Sequence, residues 1–101
     1  MSVIETVRYR LKDGATTDEA VAAWHASQSF ARAQAGFLSR KIAVTEDGDF
    51  LDHVEWENMQ AAKAAAASFD PAKYPELLGL MKVLDETSMS MTYYTVMGSA
   101  D

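Results

Sequence analysis

Between Val3 and Leu11 the chain alternates, with Val3, Val7, Tyr9 and Leu11 on one side and Thr6, Arg8 and Arg10 on the other. That period of two predicts a β-strand with one face buried. Asp13-Gly14 turns the chain, and Thr16-Thr17-Asp18-Glu19 reads as a capping box in which the Thr16 hydroxyl accepts from the Glu19 amide while the Glu19 carboxylate reaches back. From there the spacing changes to three and four. Ala20, Val21, Trp24, Ser27, Ala31 and Ala35 share one stripe, which predicts a single helix of about five turns, stopped by Gly36.

Two extended runs follow, Phe37 to Val44 and Phe50 to Trp56, and the Asp47-Gly48 pair between them predicts an antiparallel hairpin. A two-residue loop would set Arg40 opposite Glu55. A three-residue loop with a glycine bulge would align Leu38, Ile42 and Val44 with Trp56, Val54 and Phe50, and is preferred because it gathers the apolar side chains. The face on which Arg40 lies depends on that choice. Asn58 is a good N-cap for a second helix, with Met59, Ala62, Ala66 and Phe69 turned inward and Gln60 and Lys63 toward water. Asp70-Pro71 ends it, and Pro75 suits the first position of a short helix reaching Lys82 and presenting Leu77, Leu78 and Met81. In a last strand, Ser88 to Met97, Met89, Met91, Tyr93 and Met97 alternate with Ser90, Thr92, Tyr94 and Val96, and the residues from Gly98 onward are expected to fray.

Strand-helix-strand-strand-helix-strand is an α+β order, the ferredoxin-like split βαβ (β-α-β-β-α-β). It predicts a four-stranded antiparallel sheet whose right-handed crossovers place both helices on one face. The opposite face would carry Ile4, Phe37, Leu51, Tyr94 and Val96 beside Arg8, Arg10, Lys41, His53 and Glu55, too much apolar area to leave in water. A homodimer through the helix-free face is therefore expected. Arg8, Arg10 and Glu55 would pair across it, with His53 as a contact that a pH change could reach.

Composition narrows the function classes. A chain of 101 residues supports one core, so residues 1–101 are read as a single domain. A formal net charge of -6 opposes nucleic-acid phosphates and anionic lipid, and neither is an expected partner. The absence of cysteine removes disulfides, a thiolate nucleophile and Cys-based metal sites, and fits a reducing cytoplasm. No basic segment leads into an apolar stretch near Met1, so no export signal is expected, and the alanines Ala64 to Ala67 fall far short of the ~20 residues of a membrane span.

Glu5 and Asp52 interrupt otherwise apolar strand faces. Their strands are expected to be central neighbours running parallel, so that the two acids meet at one end of the sheet beneath the helices, with Arg40 as counter-charge. Two carboxylates in a low dielectric push one pKa upward, which suits a general acid or base; a structural ion-pair network is the alternative. Tyr9, Trp24, Trp56, Phe69, Tyr74, Met89 and Met91 could line a cleft for a flat aromatic ligand, or simply be core. The break from Asp70 to Pro75, which contains Tyr74, is the natural flap over such a cleft. His25 falls on the solvated side of its helix. No His-Glu-x-x-His, EF-hand, glycine-rich phosphate loop or nucleophile elbow is present, and neither a metal nor a cofactor is expected.

Ala35-Gly36-Phe37, entering the second strand, and Trp56-Glu57-Asn58-Met59-Gln60-Ala61, where the third strand passes into a helix, carry a resemblance. From about Val3 to Met97 the chain resembles the dimeric α/β-barrel superfamily, and within it the antibiotic biosynthesis monooxygenase-like domains. The resemblance implies a homodimer built by sheet packing, with any ligand pocket between sheet and helices. Some members oxidise phenolic polyketides without metal or flavin and others degrade haem. The haem-degrading relatives use a histidine in or after the second helix and an asparagine on the first strand, whereas here no histidine follows His53 and Val7 holds the strand position. The expectation is a cofactor-independent monooxygenase-like enzyme acting on a small aromatic or enolisable compound. Glu5 or Asp52 would be its base, and Tyr9, Trp24, Trp56, Phe69, Tyr74 and Met91 would bind substrate. The rival is a non-catalytic small-molecule-binding or stress-related domain. An open cavity reaching Glu5 and Asp52 separates an enzyme from a solid core.

Overall fold

A computed structural model describes residues 1–100. Strands β1 (Val3–Tyr9), β2 (Phe37–Val44), β3 (Phe50–Trp56) and β4 (Ser90–Thr95) form one sheet in the order β2-β3-β1-β4, every neighbouring pair antiparallel. Helices α1 (Thr17–Ala26) and α2 (Gln28–Ala33) connect β1 to β2. The second crossover holds α3 (Met59–Ala67), a 3₁₀ turn (Pro75–Leu77), α4 (Leu78–Val83) and a second 3₁₀ turn (Glu86–Ser88). This is the ferredoxin-like α+β architecture. Among the described residues no helix is long and apolar enough to cross a membrane.

The local signals act as their chemistry dictates. Thr16 caps α1, its hydroxyl accepting from the Glu19 amide at 3.2 Å while its own amide donates to Glu19 Oε1 at 2.9 Å. Asn58 Oδ1 accepts from the Ala61 amide at 2.8 Å and starts α3. In the β2–β3 hairpin Thr45 and Asp49 close a three-residue loop, Thr45 N–H donating to the Asp49 carbonyl at 2.9 Å, with Gly48 at φ +89°. Gly36, at φ +84°, turns the chain from α2 into β2 where a Cβ would lie 2.6 Å from Ala61 Cβ.

Several expectations are corrected. The single helix ending at Ala35 is two helices, because the Ser27 hydroxyl donates to the Trp24 carbonyl at 2.7 Å and accepts from Arg40 at 2.8 Å. A side chain that bonds back to its own turn in this way bends a helix. Buried Ala23 and Phe30 join Ala20, Trp24, Ser27 and Ala31 on the inner stripe, whereas Ala35 is exposed. The hairpin pairs Val44 with Phe50, as the three-residue loop requires, but Ile42 then faces Asp52 and Arg40 faces Val54. A bulge between Phe37 and Ser39 brings Phe37 rather than Leu38 opposite Trp56. Phe37 therefore leaves the helix-free face and packs edge-on against Trp56, ring centroids 5.8 Å apart. In the last crossover helix Leu77, Leu80 and Val83 are buried, while Leu78, expected inside, is 46% exposed. β1 stops at Tyr9, Leu11 making only an isolated bridge to Leu84, and β4 begins at Ser90 rather than Ser88 because a 3₁₀ turn precedes it.

The core is divided. One cluster gathers Tyr9, Ala20, Ala23, Phe50, Leu80, Val83 and Leu84; the other holds Val3, Val54, Trp56, Ala62 and Ala65. Between them α3 offers alanines instead of large side chains, and the sheet presents Glu5 and Asp52.

Candidate functional site

The space between the clusters is a cavity of about 380 Å³ whose wall takes Tyr9, Leu80 and Leu84 from one cluster and Val54, Trp56 and Ala65 from the other. Its size lies in the ~300–1,000 Å³ range of small-molecule sites. Glu5 and Asp52 both line it. They do not meet as expected, however. β1 and β3 run antiparallel, Glu5 facing Val54 and Asp52 facing Val7, so the acids are diagonal neighbours in mid-sheet rather than companions at one end of parallel strands.

Each acid has its own partners. Asp52, 8% exposed, is gripped by Arg40, which donates from Nε to Oδ1 at 3.0 Å and from Nη2 to Oδ2 at 2.7 Å. Trp24 Nε1 adds a bond to Oδ1 at 3.2 Å, and its ring lies under the Arg40 guanidinium at 4.8 Å. Arg40 Nη1 donates to Ser27 Oγ at 2.8 Å and to Gln28 Oε1 at 2.9 Å, tying the helix break to β2. Such a fork is the strong form of an ion pair, and it takes up both Asp52 oxygens.

Glu5 is 6% exposed and forms no salt bridge among the described residues. Trp56 Nε1 donates to its Oε1 at 3.0 Å, and among the described residues no other hydrogen bond reaches the carboxylate. Burial raises the Glu5 pKa above the ordinary carboxylate value; the Trp56 bond works against the rise, the Asp52 charge adds to it and Arg40 lowers it. The site thus holds one carboxylate paired with a cation and one bonded to a neutral donor.

Tyr9 lines the cavity, its ring stacked on Phe50 at 5.4 Å, and burial pushes its hydroxyl pKa up to about 12. Trp56, Phe69 and Met91 also line the wall. Trp24 and Tyr74 do not. Trp24 stands behind the wall as a partner of Asp52, and Tyr74 packs on Phe30 with centroids 5.0 Å apart, Phe30 itself forming the wall. Phe30, Leu77 and Met81 also form part of it; Leu77 and Met81 were expected to be presented by their short helix, whereas Phe30 lay outside the predicted stripe although it stands three residues after Ser27 and seven after Ala23.

On the helix-free face His53 and Glu55 are half-buried and Arg8 is exposed. Glu55 Oε2 accepts from the Ser2 hydroxyl at 2.6 Å. Arg10 turns instead to the β2–β3 loop, pairing with Asp49 and donating to the Asp47 carbonyl at 2.8 Å. Its guanidinium is engaged within the chain. His25 is exposed, edge-on to Trp24.

The chain has the fold of the antibiotic biosynthesis monooxygenase-like domains. SnoaB, a cofactor-independent oxygenase from Streptomyces nogalater, superposes with a TM-score of 0.75 at 16% identity, over 97% of this chain and 95% of that one. A monooxygenase from the gene ActVA-Orf6 of Streptomyces coelicolor, solved with nanaomycin D, gives 0.69 at 18% identity, over 98% and 90%. A dimeric ferredoxin-like protein of unknown function from Thermobifida fusca gives 0.69 at 13% identity, over 95% and 92%. No protein-family profile matches the sequence, and no curated protein does.

Proposed function

We propose that this protein is a small cofactor-independent monooxygenase-like enzyme that oxidises an aromatic or enolisable compound in the cavity, with Glu5 as the base. The observation that carries the reading is the Glu5 carboxylate in the cavity wall, with Oε1 held by Trp56 and Oε2 without a protein partner. A buried carboxylate of raised pKa that still has a free oxygen is suited to taking a proton from an acidic C–H or phenolic O–H. The resulting electron-rich anion can reduce dioxygen and combine with it at carbon. For a methylene, loss of water from the hydroperoxide leaves a carbonyl: CH₂ and O₂ become C=O and H₂O, carbon being oxidised and dioxygen fully reduced. Asp52 is less suited to be the base, since Arg40 holds both its oxygens. Two neighbours of the same fold, described as a cofactor-independent oxygenase and a monooxygenase, favour the same class.

We further propose that the working form is a homodimer through the helix-free face, where Tyr94 is 54% exposed. A dimeric neighbour of the same fold supports this.

The test is oxygen consumption with a panel of phenolic and enolisable aromatics. Glu5→Gln should lower turnover at least ~100-fold, the usual contribution of a positioned base. Ala66→Leu, which fills the cavity from α3, should abolish it. Wild-type protein that binds such compounds yet consumes no oxygen would favour a non-catalytic binding domain, a reading also consistent with the fully partnered Asp52.

A further inference from the structure

The polar groups in the cavity wall are nearly all committed. Arg40 is spent on Asp52, Ser27 and Gln28, the Ser27 hydroxyl donates to the Trp24 carbonyl, and the Trp56 indole donates to Glu5. Besides Glu5 Oε2, the exception among these buried groups is Tyr9. Its residue is 4% exposed, it lines the cavity, and its hydroxyl is buried without a hydrogen-bond partner among the described residues. Leaving such a group unpaired costs about 1–3 kcal/mol, and a native fold seldom tolerates it without a reason. The ring cannot readily turn away, because it stacks within 7° of parallel on Phe50 and sits in the cluster with Leu80, Val83 and Leu84.

We infer that Tyr9 is the specificity-determining residue of the cavity, its hydroxyl donating to an acceptor oxygen so that aromatic carbonyl compounds are selected over hydrocarbons of the same shape. The inference rests on the reading of this cavity as the substrate site. With its pKa raised by burial to about 12, the hydroxyl is protonated near neutral pH and remains a donor. Glu5 and Tyr9 are four residues apart on β1, a rise of roughly 13 Å at ~3.3 Å per residue. The oxygen that Tyr9 holds and the atom that gives its proton to Glu5 therefore lie toward opposite ends of the ligand.

Fluorenone and fluorene share a flat tricyclic skeleton and differ in the carbonyl oxygen, and their binding can be followed by quenching of tryptophan fluorescence, since Trp56 is in the wall. Wild-type protein should prefer fluorenone. Tyr9→Phe should weaken fluorenone roughly 5- to 10-fold, the worth of one hydrogen bond, leave fluorene unchanged and melt no lower than wild type. Equal affinity of wild type for the two probes, with Tyr9→Phe indistinguishable from it, would overturn the role of Tyr9 while leaving the cavity as an aromatic site. A lower melting temperature with loss of both probes would make the hydroxyl structural and overturn it too. Failure of wild type to bind either probe would remove the cavity reading itself, and the Tyr9 inference with it.

Discussion

Trp56 donates its indole N–H to Glu5 Oε1 at 3.0 Å as a diagonal neighbour across β1 and β3, so that of the two buried acids the one without a counter-cation is anchored by a neutral donor. The bond orients the carboxylate without supplying the charge that would hold it ionised. Glutamine keeps an acceptor oxygen in the same place. With the folded-state pKa raised by burial, Glu5 favours folding most when protonated, below its ordinary value of 4.5, and that contribution is lost as pH rises through the folded value. Glu5→Gln should therefore be more stable than wild type at pH 7 even as turnover falls. Paired thermal melts between pH 4 and 8 would check the sign: the advantage should shrink toward pH 4, and an advantage that grows on acidification would contradict it.

Arg40 and Asp52 should behave as a coupled unit. Their side chains are 6% and 12% exposed, so removing either partner strands a charge in low dielectric, at a cost of about 3–5 kcal/mol. Arg40→Met and Asp52→Asn should each destabilise strongly in urea. The double variant should lose far less than the sum, and strict additivity would show that the pair contributes nothing as a pair.

Gly36 and Gly14 share almost the same left-handed backbone, φ +84° and +85°, but a Cβ on Gly36 would meet Ala61 Cβ at 2.6 Å while one on Gly14 would meet nothing within 4 Å. Gly14→Ala should cost about 1 kcal/mol for backbone conformation alone. Gly36→Ala should cost roughly 2–4 kcal/mol, the excess being overpacking. Denaturant melts of both give the difference, and Ala61→Gly should restore that excess alone.

Legibility in the sequence followed the range of the interaction. Caps at Thr16 and Asn58 and the Asp47-Gly48 hairpin each depend on a few neighbouring residues and stand where they were read, whereas the helix expected to run to Gly36 ends at Ala33, with Gln34 already extended and Gly36 turning the chain into β2. Glu5, Asp52, Tyr9, Trp56, Phe69 and Met91 share a wall because strand alternation puts the strand residues among them on one face. What could not be read was set at long range. The Ser27 hydroxyl at the helix break bonds back to Trp24 but is also held by Arg40, thirteen residues away on another element, and the bulge at Leu38 moves Phe37 across the sheet without leaving a mark in the period. The cavity itself follows from what is missing: Ala65 and Ala66 look like ordinary helix-formers until the sheet opposite them is known to present acids.

Tyr94 lies beside Ile4 on the helix-free face, and Ile4 in turn faces Glu55, which makes an apolar spot bordered by a negative charge. Tyr94 is 54% exposed in the single chain, so a polar side chain there costs the monomer little. In a sheet-to-sheet dimer the same substitution would bury a carboxylate close to Glu55. Tyr94→Glu should therefore leave the melting curve of the isolated chain within about 0.5 kcal/mol of wild type while shifting the dimer toward monomer. Sedimentation equilibrium would report this as a fall in mass toward 11.1 kDa. A wild-type chain already sedimenting at that mass at micromolar concentration would refute the dimer, and a Tyr94→Glu dimer of undiminished affinity would move the interface off this face.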